Sequence, residues 1–338
     1  MSDKTSDQWI AAPTLAQVED AARTLAGVGV ITPLHENSEV NEKLAGRLLI
    51  KGETAQRTGS FKFRGAYNRI RQLDEAERRR GVIAYSSGNH AQAVVCAARM
   101  VRTEALIVMP DDAPENKLVR TRELGGEIIT YDRTKETREE VAERAGDERN
   151  LVMVPPNEDA RVLAGAGTVA LELVRQAGSV DASLDAVLVP CGGGGLTAAT
   201  ALVMEALSPA TKVYGVEPEL FDDTRRSLAA GERLANPKGR KTICDAIMTD
   251  MPGDLTFSIN RDRLSGVLTV TDDEVRSAMK FAFDHYKMVI EPGATVGLAA
   301  VLSGKIDIKG KNIAVIATGG NVDAASYCAA LKAATNQP

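Results

Sequence analysis

The chain has 338 residues, 44% of them hydrophobic, which is enough to bury a large core and argues for two domains. Lys and Arg number 41 against 46 Asp and Glu, and this net charge of -5, spread over both halves, excludes the basic footprint of a nucleic-acid or anionic-membrane binder. No apolar run approaches the roughly 20 residues of a membrane span, and Met1-Ser2-Asp3-Lys4-Thr5 does not open a signal peptide.

A helix is expected from about Thr14, where Thr14 and Gln17 make a capping box ahead of Val18, Ala22 and Leu25. A strand follows near Leu48-Leu49-Ile50, and then comes the stretch Thr58-Gly59-Ser60-Phe61-Lys62-Phe63-Arg64-Gly65-Ala66-Tyr67-Asn68. From Phe63 the apolar residues Phe63, Ala66, Tyr67 and Ile70 recur at i, i+3, i+4 and i+7, one face of a helix. Gly59 and Ser60 read as its turn and N-cap, which puts Lys62 at the first helical position, between two phenylalanines. The positive end of the helix dipole and the apolar surroundings both lower a lysine pKa there, and a neutral amine is what Schiff-base chemistry needs. A lysine stem lying over Phe61 and Phe63 with its head in water accounts for these residues equally well.

Beyond it the chain repeats a strand-then-helix unit. Strands are expected at 82–84, 105–108, 128–130, 151–154, 186–189, 213–216, 267–270 and 313–316. Helical patterns lie between them, such as Val275, Ala278, Met279 and Ala282 behind a Thr271/Glu274 capping box. Short continuous apolar strands alternating with helices mean parallel sheets covered on both faces. No Pro/Gly-rich linker marks a domain boundary. Cys96, Cys191, Cys244 and Cys328 are scattered without disulfide or metal spacing, so reduced thiols and a cytoplasmic setting are expected.

In such sheets ligands sit at the carboxyl ends of strands, in the turns leading into helices. Ser86-Ser87-Gly88-Asn89-His90 is one such turn, followed by a helix carrying Val94, Val95 and Ala98. Its hydroxyls, carboxamide and helix amides would seat a carboxylate and a ring oxygen; an ordinary Ser/Asn N-cap explains the same five residues. The second turn, Cys191-Gly192-Gly193-Gly194-Gly195-Leu196, lets backbone amides converge on an anion at a helix N-terminus. Four glycines carry a large entropy penalty without a ligand, and the lack of Gly-Lys-Ser/Thr excludes a nucleoside-triphosphate loop. A dinucleotide-binding loop competes, because Gly192-x-Gly194 opens a helix and Glu217 ends the next strand about 20 residues on. Thr197, however, stands where that fingerprint has its third glycine. The third turn, Thr318-Gly319-Gly320-Asn321, places a neutral hydroxyl at the end of a core strand, where a plain turn would serve as well.

In this order, Ser60-Phe61-Lys62-Phe63-Arg64-Gly65-Ala66, the Ser86 to His90 turn, the tetraglycine loop and Thr318-Gly319-Gly320-Asn321 resemble the fold type II enzymes of pyridoxal phosphate. Within them the chain is similar to the serine/threonine dehydratase and serine racemase family, over nearly its whole length from about Pro33. The resemblance implies an α/β, tryptophan synthase β-like fold with parallel sheets flanked by helices. Residues 1–80 and 158–338 would form a large cofactor domain and residues 81–157 a small mobile one. It also implies pyridoxal phosphate held by a Schiff base to Lys62, with Phe61 beside it, Asn89 on the ring hydroxyl and Thr318 on the ring nitrogen. Gly192, Gly193, Gly194, Gly195 and Leu196 would hold the phosphate, and Ser86, Ser87, His90 and Arg138 the amino-acid substrate. A homodimer is implied, and, since the chain ends soon after Asn321, no appended regulatory domain.

These roles agree with chemistry argued from the residues. The cofactor is the electron sink for the carbanion left when Cα loses its proton, and Lys62 is the natural base. A hydroxyl such as Thr318 cannot hold the ring nitrogen protonated by charge, which favours prompt loss of a β-hydroxyl. The aminoacrylate so formed hydrolyses to a 2-oxo acid and ammonia, the reaction of an L-threonine/L-serine ammonia-lyase. Ser87 resembles a racemase's acid/base on the second face. Arg138 resembles a racemase residue facing the substrate pocket, and would suit a second carboxylate such as that of 3-hydroxyaspartate; a solvated arginine in a charged helix explains it too. Serine racemase and 3-hydroxyaspartate dehydratase are therefore the alternatives on this scaffold. A nicotinamide-dependent reductase using the glycine loop and Glu217 leaves Lys62 and the Ser86 to His90 turn unexplained.

Glu217-Pro218-Glu219-Leu220-Phe221-Asp222-Asp223 resembles the divalent-cation site of the racemase-like members. Glu217 and Asp223 would be side-chain ligands and Phe221 would give its carbonyl, hard oxygens that suit Mg2+, Ca2+ or Mn2+. The chain departs from the family at Phe221, where a small residue is usual. Asp222 and Asp223 capping a helix near Thr224 is the other reading.

Overall fold

Every strand expected from the sequence forms, and one more precedes them, in the described residues, 11–113 and 115–334 of this computed structural model. Residues Met1 to Thr5, read above for a signal peptide, lie outside that range. In chain order the strands are β1 (Leu34–Glu36), β2 (Arg47–Gly52), β3 (Val82–Tyr85), β4 (Ala105–Pro110), β5 (Glu127–Tyr131), β6 (Val152–Met153), β7 (Ala186–Pro190), β8 (Lys212–Pro218), β9 (Gly266–Val270) and β10 (Asn312–Ala317). They make two sheets. One has six strands in the order β1-β2-β10-β7-β8-β9, and the other has four in the order β5-β4-β3-β6. All pairings are parallel except β1 with β2. β1 is the strand the sequence hid: three residues, Leu-His-Glu, carry no readable alternation.

Successive side chains of a strand point to opposite faces, so a buried strand feeds two cores. Leu48, Ile50, Leu188, Val315 and Val216 pack under the helices Asp272–Phe281, Pro292–Leu302 and Ala324–Ala333. Their neighbours Leu49, Val187, Val189 and Ala314 face Leu15–Leu25, Ala160–Ser179 and Gly195–Leu207. At about 25 cal/mol per Å² of apolar surface removed from water, such two-faced burial is the main force holding the sheet. Both expected capping boxes form, Thr14 with Gln17 and Thr271 with Glu274. No helix among the described residues is long and apolar enough to cross a membrane, and the four cysteines are free.

The lysine helix, Lys62–Arg71, lies where the two sheets meet. Phe63, Ala66, Tyr67 and Ile70 join the core of the four-stranded sheet, as their spacing predicts. Its opposite side is buried as well. Gly65 and Gly165 let it cross helix Ala160–Ser179 backbone to backbone: a Cβ on Gly165 would stand 2.5 Å from the Arg64 carbonyl oxygen. Arg64 is fully buried there, its guanidinium held by Glu53 and Glu172, and Lys51 donates to the same Glu172 at 2.7 Å.

Candidate active site

The chain enters the lysine helix through a strained turn. Thr58 has φ 59 and Gly59 φ 73, a left-handed pair that is costly for a β-branched threonine. Its carbonyls are tied to the loop after β10: Asn321 Nδ2 donates to the Thr58 carbonyl at 2.7 Å, and the Gly320 amide to the Gly59 carbonyl at 2.9 Å. Ser60 is not the N-cap expected of it. It is extended (φ -160), bridges Gly319 as a strand would, and leaves Phe61 to precede the helix. Pairing with Gly319 takes the place of capping because the Phe61 amide then reaches the Thr318 carbonyl at 3.0 Å. Ser60 Oγ is buried with no partner among the described residues.

Lys62 does start the helix, and its side chain is half-buried. Nζ donates to the Pro156 carbonyl at 3.0 Å and lies 5.1 Å from the Phe61 ring centre. Burial first, and then the charge of Arg138, bring its pKa down from 10.5 to about 8. Lys62, Phe61, Pro156, Gly195 and Leu196 line one small cavity, so the lysine and the tetraglycine loop share a site.

That loop follows β7 and enters helix Gly195–Leu207 with Gly194 at φ 83. Its carbonyls are turned outward: Asn157 Nδ2 and Thr256 Oγ1 donate to Gly193, at 2.9 and 2.6 Å, and Asn260 Nδ2 donates to Gly194 at 3.1 Å. The amides of residues 192–196 are left without a protein acceptor among the described residues, at the positive end of a helix. A Cβ on Gly193 would meet Asn157 Nδ2 at 2.4 Å, so glycine is required for this approach. Glu217, by contrast, ends β8 fully buried and accepts from the Thr224 and Arg225 amides, which leaves nothing to hold a ribose. The dinucleotide reading falls on that geometry.

Asn89 opens helix Asn89–Val101 but caps nothing; it reaches across to Glu291 and Asn321, and the N-cap explanation of the turn fails. Ser86 Oγ accepts from the Gly88 amide at 3.1 Å, and Ser87 Oγ has no partner among the described residues. The resemblance puts His90 against substrate, but its ring is elsewhere: 2% exposed, with Nε2 donating to the Val154 carbonyl at 2.8 Å. Burial and the nearby Lys62 push its pKa down to about 3, so the imidazole is a neutral strut. Thr318 stands at the end of β10, its hydroxyl without a protein partner among the described residues. Arg138 starts helix Arg138–Arg149, stacks 5.5 Å from the Tyr85 ring centre and pairs with Glu139 at 2.8 Å.

Sequence reasoning missed the segment between β6 and helix Ala160–Ser179. Val154 holds His90, Pro156 holds Lys62, Asn157 holds the glycine loop, and Glu158 accepts from the Leu255 amide at 2.9 Å. It missed Glu291 as well. The signal available was Pro-Pro-Asn-Glu-Asp, a polar stretch too dense in hydrogen-bonding groups to be an idle linker.

The acids of the proposed cation site come together. Burial and then Asp223 push Glu217 up to about 8, burial pushes Asp223 up to about 7, and Asp223 Oδ2 is buried without a partner among the described residues. Two buried carboxylates with a spare oxygen are a donor set that fits a hard divalent cation. No cluster of three His, Cys, Asp or Glu exists among the described residues, so the Phe221 carbonyl and water would complete the shell. Phe221 is accommodated by burial. Asp222 makes no cap; it pairs with Arg225 and Arg226. The free amides, the buried Ser60 hydroxyl and the Cβ-intolerant glycines likewise fit a phosphorylated ring.

Comparison with known proteins agrees. Residues 26–319 match the family described as pyridoxal-phosphate dependent enzyme. The chain is 42% identical over 312 residues to the L-threo-3-hydroxyaspartate ammonia-lyase of Pseudomonas sp, covering 92% of this chain and 96% of that protein. It is 40% identical to the serine racemase of Schizosaccharomyces pombe, over 93% of this chain and 96% of that one. The crystal structure of a T.th. threonine deaminase superposes with a TM-score of 0.87 at 40% identity, covering 92% of this chain and 99% of that one.

Proposed function

Since the chain belongs to the pyridoxal-phosphate dependent enzyme family, we propose that it is a carbon–nitrogen lyase that removes water and then ammonia from a small β-hydroxy amino acid. The observation that carries this reading is Lys62: a half-buried lysine with its pKa lowered to about 8, in one cavity with the start of the glycine-loop helix. Pyridoxal phosphate, when bound, supplies the electron sink for a carbanion at Cα. The protein's own residues do the rest. Lys62 holds the cofactor, then takes the Cα proton, for which a pKa near the operating pH is suited. The amides of residues 192–196 would hold the phosphate and Asn89 the ring hydroxyl. Thr318 would offer the ring nitrogen a neutral hydroxyl and no charge partner, which would favour prompt loss of the β-hydroxyl. Ser86 and the amides of its turn bind the substrate carboxylate. Ser87, on the same turn, offers a proton donor for the second face. Residues 81–157, which carry the four-stranded sheet and Arg138, form the small domain that closes over the substrate. Four free thiols suit a reducing compartment such as the cytoplasm.

Arg138 favours a substrate with a second carboxylate, 3-hydroxyaspartate, over L-threonine or L-serine. Its guanidinium stacks on Tyr85 and its charge helps lower the Lys62 pKa, while 42% of its side chain stays open to solvent. Turnover of L-threo-3-hydroxyaspartate, L-threonine and L-serine by the holoenzyme and by Arg138→Ala tests this. A loss of roughly 10²-fold in kcat/KM confined to the dicarboxylate, about the scale of a charge-assisted hydrogen-bond pair, is expected. Equal losses on all three would return the substrate to threonine and serine. Equal racemisation and elimination of serine by the unmodified enzyme would make it a racemase.

A further inference from the structure

Glu291 is a deeply buried titratable group at the site that the proposed reaction leaves unused. It immediately precedes helix Pro292–Leu302, is 4% exposed and does not cap that helix with its side chain. Oε1 instead accepts a hydrogen bond from Asn89 Nδ2 at 2.6 Å, 202 residues away in the chain. On the other side of the same carboxamide, Asn321 Nδ2 donates to Asn89 Oδ1 at 2.7 Å. Asn321 is itself anchored by the Thr58 carbonyl at 2.7 Å.

A carboxamide has an acceptor end and a donor end with two hydrogens. Here Glu291 takes one hydrogen and Asn321 takes the oxygen, so a single Nδ2 hydrogen is what Asn89 has left to give. Turning the amide round would set oxygen against Glu291 Oε1 and nitrogen against nitrogen, losing both bonds. We propose that Glu291 is a positioning residue which, with Asn321, locks the Asn89 carboxamide so that it presents its nitrogen, never its oxygen, to the cofactor's ring oxygen. This rests on the reading that Asn89 meets that oxygen.

A second observation supports it. Glycine at 319 leaves room for this carboxyl: a Cβ there would lie 2.2 Å from Glu291 Oε1 and 3.3 Å from Asn89 Nδ2. The Glu291 amide donates to the Gly319 carbonyl at 3.1 Å, so the residue is fixed to the same loop that carries Thr318. Burial pushes its carboxyl up to about 8, and the bond from Asn89 opposes that rise, because a donated hydrogen favours the ionised acceptor.

The test titrates apoprotein with pyridoxal phosphate and records the dissociation constant, the visible band of the bound cofactor and the apoprotein melting temperature. Glu291→Gln keeps an acceptor oxygen and is expected to bind and absorb as the unmodified protein does. Glu291→Leu removes it, and is expected to bind about tenfold more weakly, the scale of one lost hydrogen bond, with a displaced band. Gly319→Ala, which pushes the carboxyl off the amide, should follow Glu291→Leu and serves in its place if that variant does not fold. An unchanged band and affinity in Glu291→Leu or Gly319→Ala, or a Gln variant as impaired as the Leu one, overturns the proposal. Asn89→Ala separates the two layers. If it alters band and affinity while Glu291→Leu does not, only the role of Glu291 fails; if it alters neither, the reading of Asn89 fails with it.

Discussion

Lys62, the proposed reactive group, is also a cost to the fold. Between about pH 8 and 10.5 the unfolded chain carries a proton on this lysine that the folded chain does not, so stability rises with pH across that window. Below about pH 8 both states are charged, and the full penalty of burying an ammonium applies. Lys62→Leu is therefore expected to abolish turnover yet stabilise the apoprotein at pH 7. The gain is about 3 kcal/mol, since a tenfold change in proton affinity corresponds to about 1.36 kcal/mol. Thermal unfolding at pH 7 and pH 10 checks it: the gain should shrink as the pH rises, and a gain independent of pH would mean the amine is not desolvated. Ser87 separates two chemistries. Elimination needs one base and a leaving hydroxyl, whereas racemisation also needs a donor on the other face. Ser87→Ala should keep most 2-oxo acid formation from the L-substrate, while any D-enantiomer reaction falls by roughly 10², the scale of a lost acid–base group. Chiral chromatography of the products reads both, and equal losses would place Ser87 in binding rather than proton transfer.

At the scale of elements, the site depends on how closely the lysine helix meets helix Ala160–Ser179. Gly165 approaches the Arg64 carbonyl and Gly65 approaches the Val162 carbonyl, where a Cβ would lie at 2.5 and 2.7 Å. Alanine has the better helix propensity by about 1 kcal/mol, yet here it must push two backbones apart. Gly165→Ala should cost about 1–3 kcal/mol net, visible as a lower midpoint in denaturant unfolding. Cofactor affinity should fall with it, because Lys62 rides on the displaced helix. A stabilised Gly165→Ala would mean that the crossing is looser than this packing. The stretch from Val154 to Asp159 works in the same way from the other side. It ties His90, Lys62 and the glycine loop to one length of backbone, and Asp159 then caps helix Ala160–Ser179 through the Arg161 and Val162 amides.

For the molecule as a whole, the pair Glu217 and Asp223 links the sheet's β8 to helix Asp223–Ala230 at the rim of the larger core. A cation bound there only in the folded state stabilises by mass action. Chelator treatment should lower the melting temperature, and Mg2+ or Ca2+ should restore it, with the stabilisation growing about 1.4 kcal/mol per tenfold of free ion above Kd. No response, with no metal by elemental analysis, would leave Glu217 as a cap on the Thr224 and Arg225 amides. The turns that carry the lysine, the asparagine and the glycine loop come from both sheets, and Lys117 of helix Glu115–Glu123 pairs with Asp245 at 2.7 Å.

Short-range physics was legible in the residues themselves. Apolar runs located nine strands, the Thr14 and Thr271 capping boxes set two helix starts, and four spaced motifs pointed to Lys62, the turn of Asn89, the glycine loop and Thr318. Those signals are local, since periodicity and capping act within a few residues. What the tertiary structure decided are single polar side chains whose partners lie far off in the chain. Lys62 meets Pro156 94 residues on, Asn89 meets Glu291 202 residues on, and Asn321 reaches back 263 residues to Thr58. The Arg64, Glu53, Glu172 and Lys51 cluster and the inward turn of His90 are of the same kind. A lone polar residue carries no period and no cap. Its role is fixed only when folding buries it and its hydrogen bonds must be satisfied by whatever the fold has brought alongside.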